Sequence, residues 1–140
     1  MRRWGLGLLS LGLVGCSVLA PQGKPCAELV TFAGLDPDTG AYNLVLTAID
    51  GRPVVSKPLY RLAPGQYRLE LMEFIDDPRL AVPLKQRRSQ EMVLTLAPMQ
   101  RYTLAARLVP EQADDPQRYW QPEVWQLEPQ ECRFPKRKNT

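Results

Sequence analysis

Fourteen prolines, spread from Pro21 to Pro135, cut this chain of 140 residues into short pieces. Proline lacks an amide donor and its ring clashes inside a helix, so the interruptions leave little room for long helices and suit short strands joined by turns. The intervening residues carry the two-residue period that a half-buried strand requires. Residues 29–33 are β-branched and aromatic. In 42–49, Leu44, Leu46 and Ala48 share a face, and in 67–71, Tyr67, Leu69 and Leu71 oppose Arg68 and Glu70. Residues 92–96 form another strand, and 119–127 lead into a last one ending near Cys132. Turn chemistry separates them: Asp36-Pro37-Asp38-Thr39-Gly40, then Asp50-Gly51, a strong two-residue hairpin signal. Pro53 limits the pairing of Val54-Val55 to a short edge strand. Residues 76–89, with two prolines and four basic residues, read as an exposed connection.

One pattern occurs twice. Leu62-Ala63-Pro64-Gly65-Gln66-Tyr67 is echoed by Leu96-Ala97-Pro98-Met99-Gln100-Arg101-Tyr102. Two copies are too few for a solenoid. They read as successive turn-then-strand corners, each tyrosine resembling the corner tyrosine whose hydroxyl bonds back to the preceding loop. The run Ile49-Asp50-Gly51-Arg52-Pro53, followed by Leu62-Ala63-Pro64-Gly65-Gln66-Tyr67-Arg68-Leu69, resembles PEGA-type and transthyretin-like (prealbumin-like) β-sandwich repeats of bacterial envelope proteins. The likeness spans about residues 42–75, with Ser56-Lys57-Pro58 in place of the usual approach of small residues. It implies a surface-exposed or envelope-anchoring module and carries over no catalytic residue. The expected fold is all-β, a single antiparallel β-sandwich of about seven strands, transthyretin-like or Ig-like.

The beginning of the chain points to export. Arg2 and Arg3 precede a mostly apolar run over 4–15, shorter than the roughly 20 residues that a membrane span needs. The run ends in Leu13-Val14-Gly15-Cys16, which resembles the lipobox of bacterial lipoproteins. That resemblance makes residues 1–15 a removable signal, Cys16 the acylated first residue of the mature protein, and 16–25 a tether. The folded domain then covers 26–134, and 135–140 form a basic tail. In such lipoproteins, Ser17 rather than an acidic residue after the cysteine favours passage to the outer membrane, facing the periplasm.

Two cysteines remain, Cys26 and Cys132, 106 positions apart. An exported chain meets an oxidising compartment, so these two are expected to pair.

Composition removes several functions. The sequence contains no histidine, the commonest general base and zinc ligand. No glycine-rich phosphate loop precedes a helix. The carboxylate pairs Asp76-Asp77 and Asp114-Asp115 each stand beside a proline and read as turn residues. An enzyme, a metal site and a cofactor are therefore not expected. Without Arg2 and Arg3 the formal charge falls from +3 to +1, too little for a nucleic-acid partner. Tyr119, Trp120 and Trp125 form the one aromatic group that could stack on a sugar or peptide, and they could equally fill the core. Arg61 and Arg68 read as the solvated face of a strand. The expected role is a lipid-anchored, non-enzymatic binding or structural accessory with an envelope protein or glycan partner; the alternative is a periplasmic inhibitor of a host hydrolase such as lysozyme.

Overall fold

A computed structural model describes residues 23–136. The expected signal over 1–15, Cys16, most of the tether and the last residues of the basic tail lie outside the described residues. Within them the chain is all-β. Its strands are β1 Ala27–Val30, β2 Ala41–Tyr42, β3 Leu44–Ile49, β4 Arg52–Pro53, β5 Leu59–Leu62, β6 Gly65–Glu73, β7 Gln90–Leu96, β8 Gln100–Leu108 and β9 Trp120–Pro129. Only β2 and β4 are two-residue pieces, so the substantial strands match the number expected.

Two sheets face each other. One has the order β4-β3-β6-β7; the other runs β5-β1-β8, with β9 on the far edge of β8 and β2 beside β8 beyond the end of β1. Leu29, Tyr60, Tyr102 and Leu104 from the second sheet meet Leu44, Leu46, Leu69, Leu71 and Leu96 from the first in one core. The alternation expected for β3 and β6 is what buries these leucines, because every second side chain points between the sheets. The sandwich is not purely antiparallel, however. β1 runs parallel to β8, with Glu28, Leu29 and Val30 opposite Arg101, Tyr102 and Thr103. Strand direction leaves no mark in a pattern of period two, which is why the sequence did not disclose it.

The turns follow their residues. Asp50 and Gly51 both have positive φ, 50° and 79°, and Ile49 pairs with Arg52 across them, the geometry that favours Asp-Gly in a two-residue hairpin. The Asp50 carboxylate also accepts the Arg68 amide at 2.8 Å, tying the hairpin to β6. Both corner tyrosines bond to the alanine of their own Leu-Ala-Pro. Tyr67 donates to the Ala63 carbonyl at 2.6 Å, and the Tyr102 hydroxyl accepts the Ala97 amide at 2.8 Å. The copies differ after the proline, where Met99 adopts φ 59°, a conformation unfavourable to a side chain with a Cβ. Three bonds hold it there: its amide donates to Cys26, its carbonyl accepts Gln130, and its sulfur accepts the Cys132 amide.

Residues 76–89 contain no strand, as expected, yet they are not simply exposed. Val82 is buried beside Ile75, and Leu80 packs partly against the core, so the loop closes one end of the sandwich. Prolines stop it from pairing without stopping its apolar side chains from being covered.

Cys26 and Cys132 are joined, their Cα atoms 5.0 Å apart. The Cys26 amide also donates to the Cys132 carbonyl, and the Phe134 amide donates to Lys24, so the two ends of the domain run side by side. Breaking the bond with Cys26→Ser or Cys132→Ser should lower stability by about 2–5 kcal/mol, as measured by denaturant unfolding of the variant against the oxidised parent.

Candidate functional site

The expected aromatic group does not assemble into a binding platform. Tyr119 and Trp120 are fully buried where the chain enters β9, and neither presents a face to a ligand. This corrects their assignment as candidate ligand-binding residues. Their polar atoms are used internally. Tyr119 donates to the buried Glu73 carboxylate at 2.9 Å and accepts the Arg88 amide at 3.3 Å; the Trp120 ring nitrogen donates to the Arg88 carbonyl at 3.0 Å. The Gln90 side chain donates to the Trp120 carbonyl. Arg87 completes the cluster, 3.8 Å from Glu73 and donating to the carbonyls of Ile75 and Val82. A buried polar group must find partners, and here the loop supplies them. The two aromatics therefore fasten the loop over 74–89 to β9.

Trp125 is placed differently. The register of β9 against β8 skips it, since Thr103 opposes Gln126 and Leu104 opposes Val124, so Trp125 is the extra residue of a bulge. It is half-buried, and the Arg107 guanidinium lies 5.8 Å from its ring centre. Arg107 is fixed in turn by two bonds to Glu123, at 2.8 and 2.7 Å. A cation already lies over this ring, which leaves less of it for a ligand. The carboxylate pairs behave as turn residues: Asp77 accepts the Arg79 amide and Asp115 the Gln117 amide. Cys16 lies outside the described residues.

A concave surface lies elsewhere, along the side where β4 and β5 form the edges of their sheets. Residues 55–58 cross from one sheet to the other there and divide it into two grooves. One, of about 320 Å³, is bordered by Thr31, Leu44, Pro58 and the exposed rings of Phe32 and Phe74. The other, of about 310 Å³, is lined by Ile49, Val54, Lys57, Tyr60, Arg61 and Leu62. Lys57 borders both. Its ammonium lies 5.1 Å from the centre of the Tyr60 ring, and Tyr60 fixes the crossing by donating to Val55 and accepting the Lys57 amide.

Three cations on this side, like Arg88, Arg118 and Lys85 elsewhere, make no ion pair among the described residues. Arg52, Lys57 and Arg61 have no carboxylate within 4.0 Å among the described residues, whereas Arg68, Arg79, Arg87, Arg101, Arg107 and Arg133 each do. Arg61 stands across from Glu28 in the β5–β1 register, but Glu28 is turned to Arg101 at 3.3 Å. Apolar walls, an exposed sheet edge and three unpaired cations can hold an anionic chain. No group of three or more metal-ligating side chains occurs among the described residues. Arg61 is exposed, as expected of the solvated face of a strand, and the sequence reading named no groove here. Its signal was the cluster Arg52, Lys57 and Arg61 around Pro53 and Pro58, where proline keeps both strands short.

Tyr42 and Tyr119 give the end closed by the loop over 76–89 a pH signature. Burial and the bond to Asp77 push Tyr42 up to about 12, and burial beside Glu73 pushes Tyr119 up as well. Unfolded tyrosines ionise near pH 10, so above that pH the folded chain holds protons that the unfolded chain releases, and stability falls as pH rises. Asp77 has the opposite sense. Hydrogen bonds from Arg79 and Tyr42 hold its carboxyl well below the usual range, and its contribution is lost as pH falls below about 4. Tyr119→Phe should therefore flatten the alkaline decline and lower stability at neutral pH by about 1–3 kcal/mol, because Glu73 loses a buried partner. Denaturant unfolding in steps from pH 7 to 12 measures both.

Compared with known proteins, the chain matches no family model, no curated protein and no solved structure. Its functional reading accordingly rests on its own residues.

Proposed function

We propose that the chain is a lipid-anchored, non-enzymatic binding or structural accessory of the bacterial cell envelope, attached through Cys16 to the outer membrane and facing the periplasm. The observation that carries this reading is the Cys26–Cys132 bond. Disulfides persist in oxidising compartments, so a bond spanning the domain favours an exported protein. It also takes up two of the three cysteines, and the third stands in the lipobox-like run Leu13-Val14-Gly15-Cys16. Gly23 enters the domain three residues before the disulfide. The PEGA-like and transthyretin-like resemblance of about residues 42–75 agrees with an envelope module.

Lipid attachment supplies a definite test. Acyl chains contribute about 0.8 kcal/mol per buried methylene, and more than one chain makes anchoring stable. Mass spectrometry of the mature protein should find an acylated Cys16 as its first residue, and Cys16→Ser should move the protein out of the membrane fraction. An unmodified Cys16 in mature protein from intact cells would refute the anchor.

A further inference from the structure

We propose that the free edge of β5 is a docking site for an extended polypeptide segment that alternates acidic and apolar residues. The inference deepens the reading of the chain as a binding module and rests on it.

The backbone carries the first part of the argument. β5 pairs antiparallel with β1, and the Thr31 amide donates to the Pro58 carbonyl just beyond that ladder. In an antiparallel pair, hydrogen-bonded and non-bonded positions alternate. Counting from Thr31 opposite Pro58, the bonded pairs are Leu29 with Tyr60 and Ala27 with Leu62. Tyr60 and Leu62 thus direct their amides and carbonyls toward β1, while those of Leu59 and Arg61 point outward. Among the described residues no other strand pairs with β5, so these four groups form the row to which an added strand bonds.

Side chains then specify the guest. A strand laid along β5 would send alternate residues toward the groove walled by Ile49, Val54, Tyr60 and Leu62, which suits apolar side chains. The intervening residues would face outward beside Arg61, with Lys57 at the border of the groove, and neither cation has an acidic partner among the described residues. Carboxylates at those positions would supply what the protein lacks. The same cations argue against a second copy of this chain. Two β5 edges paired with each other would bring Arg61 and Lys57 of one copy against those of the other, and like charges facing across strands repel. Proline and basic residues are also how natural edges are guarded against self-pairing. A guard of that kind excludes a basic edge and admits an acidic one.

Random ten-residue peptides selected on the full chain should converge on alternating acidic and apolar residues. With the selected peptide bound, hydrogen exchange should slow at least tenfold at the amides of Leu59 and Arg61. Lys57→Glu combined with Arg61→Glu should weaken binding at least tenfold, with the far-UV circular dichroism unchanged because both residues are exposed. Raising salt should weaken it too. Failure to select any peptide, peptides without acidic alternation, or protection confined to other strands would overturn the proposal and leave the cations as an edge guard only. A concentration-dependent dimer protected at β5 would overturn it in favour of a second copy. Neither result touches the anchor, which is read from acylation of Cys16; the double variant should fractionate with membranes as the parent does.

Discussion

The parallel pairing of β1 with β8 is the constraint on which the remaining arrangement depends. β8 is the inner strand of its sheet, covered along one edge by β9 and shared along the other by β1 and β2. Its buried residues extend to both faces, since Thr103 and Ala105 are covered as well as Tyr102, Leu104 and Ala106. A four-residue first strand holds this position because it is fastened at its start. Cys26 is joined to Cys132, and the Cys26 carbonyl accepts the Met99 amide just before β8 begins. With β1 seated, its other edge receives β5, and the chain then crosses into the opposite sheet through the Leu-Ala-Pro corner and β6.

Across the outer face of that sheet the register sets Arg61, Glu28, Arg101 and Glu128 in one row, alternating in sign. Glu28 is nearly inaccessible, and Arg101 bonds to it at 3.3 Å while lying 3.8 Å from Glu128. A buried carboxylate left without its cation is costly, so Arg101 is committed to the inner members of the row. Arg61, at the open end, is left over. The unpaired charge beside the groove is thus a product of sheet order, with two acids placed around Arg101 and none beyond β5.

Much of the fold can be read from single residues. Alternation in β3 and β6, the Asp50-Gly51 hairpin and the two tyrosine corners are local matters, decided within a few residues by side-chain period, backbone φ and one hydrogen bond. The aromatic site could not be read in the same way. Tyr119 and Trp120 follow a polar loop, and a sequence does not tell whether such rings point out or in. What decided it was Glu73, a charged residue on the inward face of β6 that requires a donor and finds Tyr119 46 positions away. The loop over 76–89 is the mostly exposed, unpaired connection that its prolines predict, and what they do not foretell is the covered side chain of Val82. The groove was hidden because an edge is defined by the strand that is not there.

The closed junction at Cys26 and Cys132 also has a mechanical side. Lys24 and Pro25 lie alongside Arg133 and Phe134, so a pull transmitted through Gly23 reaches the covalent bond after only three residues. Load entering at Gly23 is shared at once with the far end of the chain. The sandwich between them is spared most of the extension, and the shape of the β5 edge is thereby insulated from tension on the segment that leads into the domain.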